Sequence, residues 1–462
     1  MDGRPRIEGT NIIFDYFGLR EEGYKYFLSH AHMDHMRGLN ASWNWGEIYC
    51  SHETKAIVSK MWPELCPFLM GRDMEEAFDV ILDAEGLVSV QVRMLDAYHC
   101  LGSAVFVIDG FFGRAVYTGD FRAERALLDH DIWREDRPVD YLFLDNTLHA
   151  SSMPQVDRAH WRELLCDLVR FYPSHTRFEV GIESLGKEEV LESLAKALDT
   201  KVIVSRARFE VIRDVSELDI SYFVHNEADH AQARIKVVSR QAINERRVVE
   251  LNANPSEFVV CILLQASGPN ERRQVRFQGP FAPETLRVDD RVRLRRLAAA
   301  KKSLDDLYKR RFFIVPYTLH ASRYELANFV RVLRPHIVTG IVSRERKGDL
   351  LQYITRWRGQ PSDDHVARLR RQWDEYKSIV VRQAGEEAGA KRQRQQQRHT
   401  QEQQREDLVR LITKARVSRK NFDTTVAIRK LQRGAPPEQE HVCERPWKRL
   451  NLRKKKTRTC VT

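Results

Sequence analysis

No part of the 462-residue chain holds eighteen consecutive apolar residues, so no membrane span is expected. The opening residues, MDGRPRIEGTN, lack the apolar core of a secretory leader. Cysteine is sparse: Cys50, Cys66, Cys100, Cys166, Cys261, Cys443 and Cys460 are scattered, odd in number and form no CxxC pair. That excludes a disulfide framework and fits a reducing compartment. Most of the chain also lacks a basic excess. The formal charge is +11, but 22 Lys/Arg against 9 Asp/Glu between Val381 and Thr462 put +13 there, leaving −2 for the other 380 residues. Net charge therefore gives no reason for the body to bind nucleic acid; only a site can supply one.

The densest chemical signal is SHAHMDH, where His30, His32, Asp34 and His35 fall within six positions directly after the apolar Tyr26, Phe27 and Leu28. Neutral imidazoles and carboxylates hold zinc in open, water-binding sites. Packing alone gives no reason to cluster four such groups.

Along Asn11–Asp145, IIFDYF, KYFLSH, EIYCS, VSVQVRML, SAVFVID, RAVYTGD and YLFLD read as strands between turns. Asp15 lies in the first; His30, His99, Asp120 and Asp145 lie at or just past the ends of others. Neighbouring strand ends converge, so one cleft can gather them. The chain then alternates: WRELLCDLVRFY and KEEVLESLAKAL are helical, and FEVGIES, KVIVS, FVVCILLQ and RFFIVPY are strands. FIVPYTLHA brings His320 to another strand end, and ELANFVRVLRPHIVTGIV reads as helix then strand. Beyond Arg344 the composition turns to Arg, Gln and Glu, a solvated helix or disorder, and RPWKRLNLRKKKTR suits nuclear import or non-specific phosphate contact.

These residues suffice for a pair of divalent ions. His30, His32 and His99 with Asp120 would form one set, and Asp34 and His35 would form the second while sharing Asp120. Ions held this way lower the pKa of bound water to about 7 and neutralise charge on an attacked phosphoryl group. Asp15 is placed to fix the tautomer of a ligand histidine. Histidine-rich ligands suit zinc, and the second position could take another divalent ion. In ESLGKEEVLESL, Ser184, Gly186 and Lys187 precede a helix whose free N–H groups attract phosphate; Ser205 after KVIVS could join the same groove.

SHAHMDH, LDAYHCLGS, VYTGDFR and LFLDNT, in this order and spacing, resemble the metallo-β-lactamase fold in its β-CASP nucleic-acid branch, and within it the DNA cross-link repair nucleases. The likeness covers about residues 10–345. It implies an α/β, four-layer αββα body (1–149 and 311–345) with a β-CASP insertion (150–310), followed by a basic tail (346–462). It implies metal ligands at His30, His32, Asp34, His35, His99 and Asp120. It also implies catalytic roles for Asp34, Asp145 and His320, with His320 handling the leaving oxygen, and a 5′-phosphate pocket at Ser184, Gly186, Lys187 and Ser205. The chain departs from the family in RIK, where Lys236 replaces a histidine, in Tyr98 and Leu101 of DAYHCLGS, and in Ala321 and Arg323 after His320. The expected function is a nuclear, metal-dependent 5′→3′ DNA exonuclease of repair or chromosome ends. DNA, especially 5′-phosphorylated ends, and repair or telomere proteins are the expected partners. RNA processing and a DNA-binding scaffold of reduced activity are the alternatives.

Overall fold

The computed structural model describes residues 6–342, apart from positions 8–9, 85, 87, 136, 150, 152–156 and 255–256 and the stretches 266–283 and 288–308 (Asp290 excepted), together with a few positions between 395 and 403. The chain divides into two units, Met1–Ile379 and Val380–Thr462. The described residues of the second unit are helical; the basic cluster expected near its end lies outside the described residues.

Strands β1 (Ile12–Phe14), β2 (Lys25–Phe27), β3 (Ile48–Ser51) and, after helix α1 (His52–Met61), β4 (Leu69–Arg72) form a parallel sheet in that order. A second sheet contains β5 (Ala77–Ile81), β6 (Ser89–Asp96), β7 (Ala104–Gly110), β8 (Gly113–Tyr117) and, beyond the short helix α2 (Arg125–Leu128), β9 (Val139–Leu144). In β7, Ala104, Phe106 and Ile108 face the first sheet, packing with Phe14, Phe27 and Tyr49, while Val105 and Val107 face the other way. Strict alternation with both faces covered explains why this strand is buried through five consecutive residues.

An insertion follows: α3 (Arg158–Arg170), β10 (Arg177–Ile182), α4 (Glu188–Leu198), β11 (Lys201–Ile203), α5 (Arg206–Val215), β12 (Phe223–Val224), β13 (Ala233–Ser239), α6 (Glu245–Leu251), β14 (Val259–Leu264), β15 (Glu284–Thr285) and β16 (Phe312–Val315). Its seven strands form a parallel sheet in the order β12-β11-β13-β10-β14-β16-β15. The chain returns through α7 (Arg323–Leu333) and β17 (Ile337–Gly340), which pairs with β9.

The layers follow from the packing. α1 packs Ile57 and Val58 on the outer face of the first sheet, against Ile13, Tyr26 and Cys50. α7 packs Leu326, Phe329 and Leu333 on the outer face of the second, against Val105, Val116 and Leu142. The result is the expected αββα body with an α/β insertion. One boundary moves. Phe312–Val315, expected in the closing part of the body, is a central strand of the inserted sheet between β14 and β15, so the chain re-enters the body only after Val315. FFIV is buried on every residue, as a strand covered on both faces must be. Among the described residues no helix is long and apolar enough to cross a membrane.

Candidate metal centre

Loops at one end of the two sheets bring the predicted groups together. His30 and His32 follow β2, His99 follows β6, Asp120 follows β8, Asp145 follows β9, and His320 arrives from the C-terminal end of β16. Asp120 is the hub. Its Oδ2 lies 3.3 Å from His35 Nε2, 3.6 Å from His99 Nε2, 3.8 Å from His30 Nε2 and 3.9 Å from His320 Nε2.

Each imidazole is held from behind. Ser29 Oγ donates to Asp15 Oδ2 (2.6 Å) and so accepts from His30 Nδ1 (2.9 Å). His32 Nε2 donates to the Leu185 carbonyl (3.1 Å) and His99 Nδ1 to the Leu319 carbonyl (3.1 Å). His35 Nδ1 donates to Asp15 Oδ2 (2.7 Å), and His320 Nδ1 to Asp145 Oδ2 (2.9 Å). With outward nitrogens carrying the protons, the inward nitrogens of His30, His32 and His99 are bare. Yet His30 Nε2 is 2.9 Å and His99 Nε2 is 3.2 Å from His32 Nδ1. Three lone pairs at that separation repel one another unless a cation sits among them. This fits a divalent metal, because ligand imidazoles characteristically donate their far N–H to a carboxylate or carbonyl.

The electrostatics agree. Burial first, then neighbouring imidazoles, holds His30 well below its ordinary pKa. Burial also lowers His32 and His99 against the opposing pull of Asp120. These three are neutral, as ligands must be. Burial would lower His35 and His320 too, but carboxylates outweigh it. Asp120 and Asp15 raise His35 well above its usual range, and Asp120 and Asp145 push His320 up to about 9. Burial opposes the charge on Asp120, but His320 and His35 hold its carboxyl well below the usual range. Carboxylate charge from Asp120, Asp15 and Asp145 thus draws positive charge to this cluster, as a cation site requires.

Asp15 is a four-donor acceptor. Besides Ser29 Oγ and His35 it takes Ser29 N (2.7 Å) and the Tyr117 hydroxyl (2.9 Å). Its φ of 44° is left-handed, a conformation Asp tolerates better than most residues. Asp34 differs from the rest: its side chain is 65% exposed, with Oδ2 3.9 Å from His35 Nε2. Asp145 Oδ1 takes the Thr147 N–H and hydroxyl.

Leu185 and Leu319 escaped sequence reading, since a carbonyl acceptor leaves no side-chain signature. Ser29, beside His30, and Cys100, beside His99, were missed as well. The Cys100 thiol lies within 4.8 Å of ligand atoms of His30, His32 and His99, and burial pushes its pKa well up.

The SLGKE loop lies against the centre through Leu185, but the expected phosphate group needs correction. Lys187 is 4% exposed; its Nζ donates to Glu183 Oε2 (2.5 Å) and the Leu264 carbonyl (3.0 Å). Its charge is neutralised inside and does not face a ligand. The Gly186 N–H is taken by Glu188 Oε1 (2.9 Å). Ser184 and Ser205 are exposed, with Ser205 capping α5 through the Arg208 N–H. Lys236 lies exposed in β13, paired in register with Glu179 of β10.

A two-sheet sandwich with a histidine–aspartate cluster at its loop edge and an inserted parallel sheet defines a metallo-β-lactamase-type protein. Residues 223–346 match the family model described as DNA repair metallo-beta-lactamase. The chain is 28% identical over 348 residues to rat "5' exonuclease Apollo", covering 75% of this chain and 56% of that protein. It is 36% identical over 211 residues to the chicken protein of that name (45% and 44% covered). It is 26% identical over 353 residues to fission yeast "DNA cross-link repair protein pso2/snm1" (72% and 60%). The chain thus carries a DNA repair metallo-beta-lactamase region and is similar along most of its length to proteins named for 5′ exonuclease and DNA cross-link repair roles. It spans about half the length of the Apollo relatives it matches.

Proposed function

We propose that this chain is a metal-dependent 5′→3′ DNA exonuclease of the nucleus, acting in cross-link repair or chromosome-end processing. The observation that supports it best is the ring of imidazoles whose outward nitrogens are all hydrogen-bonded and whose inward nitrogens converge, those of His30, His35, His99 and His320 on Asp120 and that of His32 on His30 and His99. The relatives' names supply the DNA substrate class and the 5′ polarity.

In this reading His30, His32, His99 and Asp120 would hold one ion, and Asp34 and His35 with Asp120 would hold the other, zinc in the first position and zinc or another divalent ion in the second. Bound ions supply a water of lowered pKa and offset phosphoryl charge. The chain's own groups do the rest. Asp15 orients His35 directly and His30 through Ser29. Asp145 orients His320, which carries a proton at Nε2 toward the leaving oxygen. Ser184 and Ser205 line the approach of a 5′-phosphate without help from Lys187.

The test is digestion of end-labelled single- and double-stranded DNA and RNA, with and without 5′-phosphate, in zinc or manganese. Stepwise release from 5′-phosphorylated DNA supports the proposal. RNA cleavage would move the chain to RNA processing, and binding without cleavage would make it a scaffold. His320→Gln separates two roles for that residue. Slowed cleavage with both ions retained supports proton donation, whereas loss of one ion reassigns His320 as a ligand.

A further inference from the structure

The carbonyls that hold the rings of His32 and His99 follow strands of the inserted sheet. Leu185 follows β10 and Leu319 follows β16, at the same end of two parallel strands that flank β14. The Leu185 carbonyl sits in an unusual turn. Gly186 has φ 95° and Lys187 φ 66°, two left-handed residues in succession, the second with a side chain that disfavours it. Such a turn persists only where its surroundings over-determine it.

Arg208, in the first turn of α5, does this. It is 6% exposed, and its guanidinium donates to the Glu183 carbonyl, the Gly186 carbonyl (3.2 Å) and Glu188 Oε1. Glu188 Oε1 in turn accepts the Gly186 N–H. One planar group thus pins carbonyls on both sides of Leu185. The Glu183 side chain is fixed separately by Lys187 and Arg240.

We infer that Arg208 is a positioning residue for the metal centre: by fixing the 183–187 turn it sets the Leu185 carbonyl that keeps the His32 proton on Nε2 and leaves Nδ1 bare toward the cation. Metal affinity at the three-histidine position then depends on a residue of the inserted domain that touches neither ion nor substrate. Lysine cannot substitute, because a point charge on a flexible stem does not reproduce a rigid fork with three acceptors. The inference rests on the metal-centre reading and deepens it.

Removing a direct hydrogen-bond partner of a metal ligand typically weakens metal binding 10–100-fold. Arg208 acts one step further out, so roughly tenfold weaker zinc binding is expected in Arg208→Ala and Arg208→Lys, measured by chelator competition on the full chain. The second readout is solvent exchange of the His32 Nε2–H in zinc-loaded, histidine-labelled protein, followed by ¹H–¹⁵N NMR; it is slow in wild type and fast in both variants. Arg247→Ala, which breaks the Glu179 pair elsewhere on the inserted sheet, is the structural control and leaves both readouts unchanged. If Arg208→Ala does not fold, Arg208→Lys and Glu188→Gln are read instead. Wild-type zinc affinity and slow His32 exchange in a folded Arg208 variant would overturn the inference. A wild-type chain that binds no zinc would overturn the metal centre itself, and the inference with it.

Discussion

Asp15→Asn is the sharpest probe of how the centre is held. Asn adopts left-handed backbone readily, so the φ of 44° is not disturbed and the change isolates the carboxylate. Asp15 receives four donors, three of them on Oδ2. An amide has one carbonyl oxygen and an NH₂, so in either orientation at least one buried donor meets another donor. Losing one charge-assisted bond costs about 1.5–3 kcal/mol, with a further penalty for the unsatisfied group. A stability loss of about 2–3 kcal/mol is therefore expected by urea unfolding. His35 loses the acceptor that fixes its tautomer, and His30 loses the relay through Ser29. Metal affinity, measured by chelator competition, should fall 10–100-fold. Wild-type metal affinity in a folded Asp15→Asn protein would refute the claim that the carboxylate orients these ligands.

Asp34→Ala should abolish cleavage while moving stability by no more than about 0.5 kcal/mol, because its side chain is largely exposed; near-normal cleavage would remove the two-ion reading. In the metal-free chain His35 and His320 have raised pKa values. The stability they contribute is fully present below the unfolded value of about 6.5 and is lost as pH rises through the folded value, about 9 for His320. The lowered His30, His32 and His99 act with the opposite sign: their contribution is present above about 6.5 and is lost as pH falls through their folded values. Metal must displace the extra proton of His35, so affinity should increase as pH rises above about 6.5 with proton release visible by calorimetry, and a flat profile would contradict the assignment. Arg122, buried between the Asp120 and His320 loops, donates to Glu325 and to the Thr318 carbonyl. Glu325→Ala, which leaves that charge unpaired and also removes the capping carboxylate of α7, should cost about 3–5 kcal/mol in thermal or urea unfolding.

The clustered histidines and aspartates were legible because their chemistry is written in side chains and their spacing in strand ends. SHAHMDH, His99 and Asp120 needed only the strands to converge, and they do. The sandwich strands were legible for the same reason, since β6 and β7 are long and apolar on alternate or both faces. β4 and β5 were not, because both are edge strands with mostly exposed or half-buried residues and little pattern to read. RFFIVPY reads as a buried strand in either domain; only its partners, β14 and β15, place it in the insertion. The Lys187 expectation failed for a definable reason. A glycine-lysine step before a helix suggests an outward cation, but the left-handed turn directs Lys187 back to Glu183, four residues earlier. The Leu185 and Leu319 carbonyls that orient two ligands depend on backbone position alone, which tertiary structure supplies.

The most direct measurement is anomalous diffraction from crystals of the chain grown with zinc. Two peaks flanking the Asp120 carboxylate are expected, one among His30 Nε2, His32 Nδ1 and His99 Nε2, the other beside Asp34 and His35. Rings turned away from Asp120, with no ion between them at saturating zinc, would contradict the account.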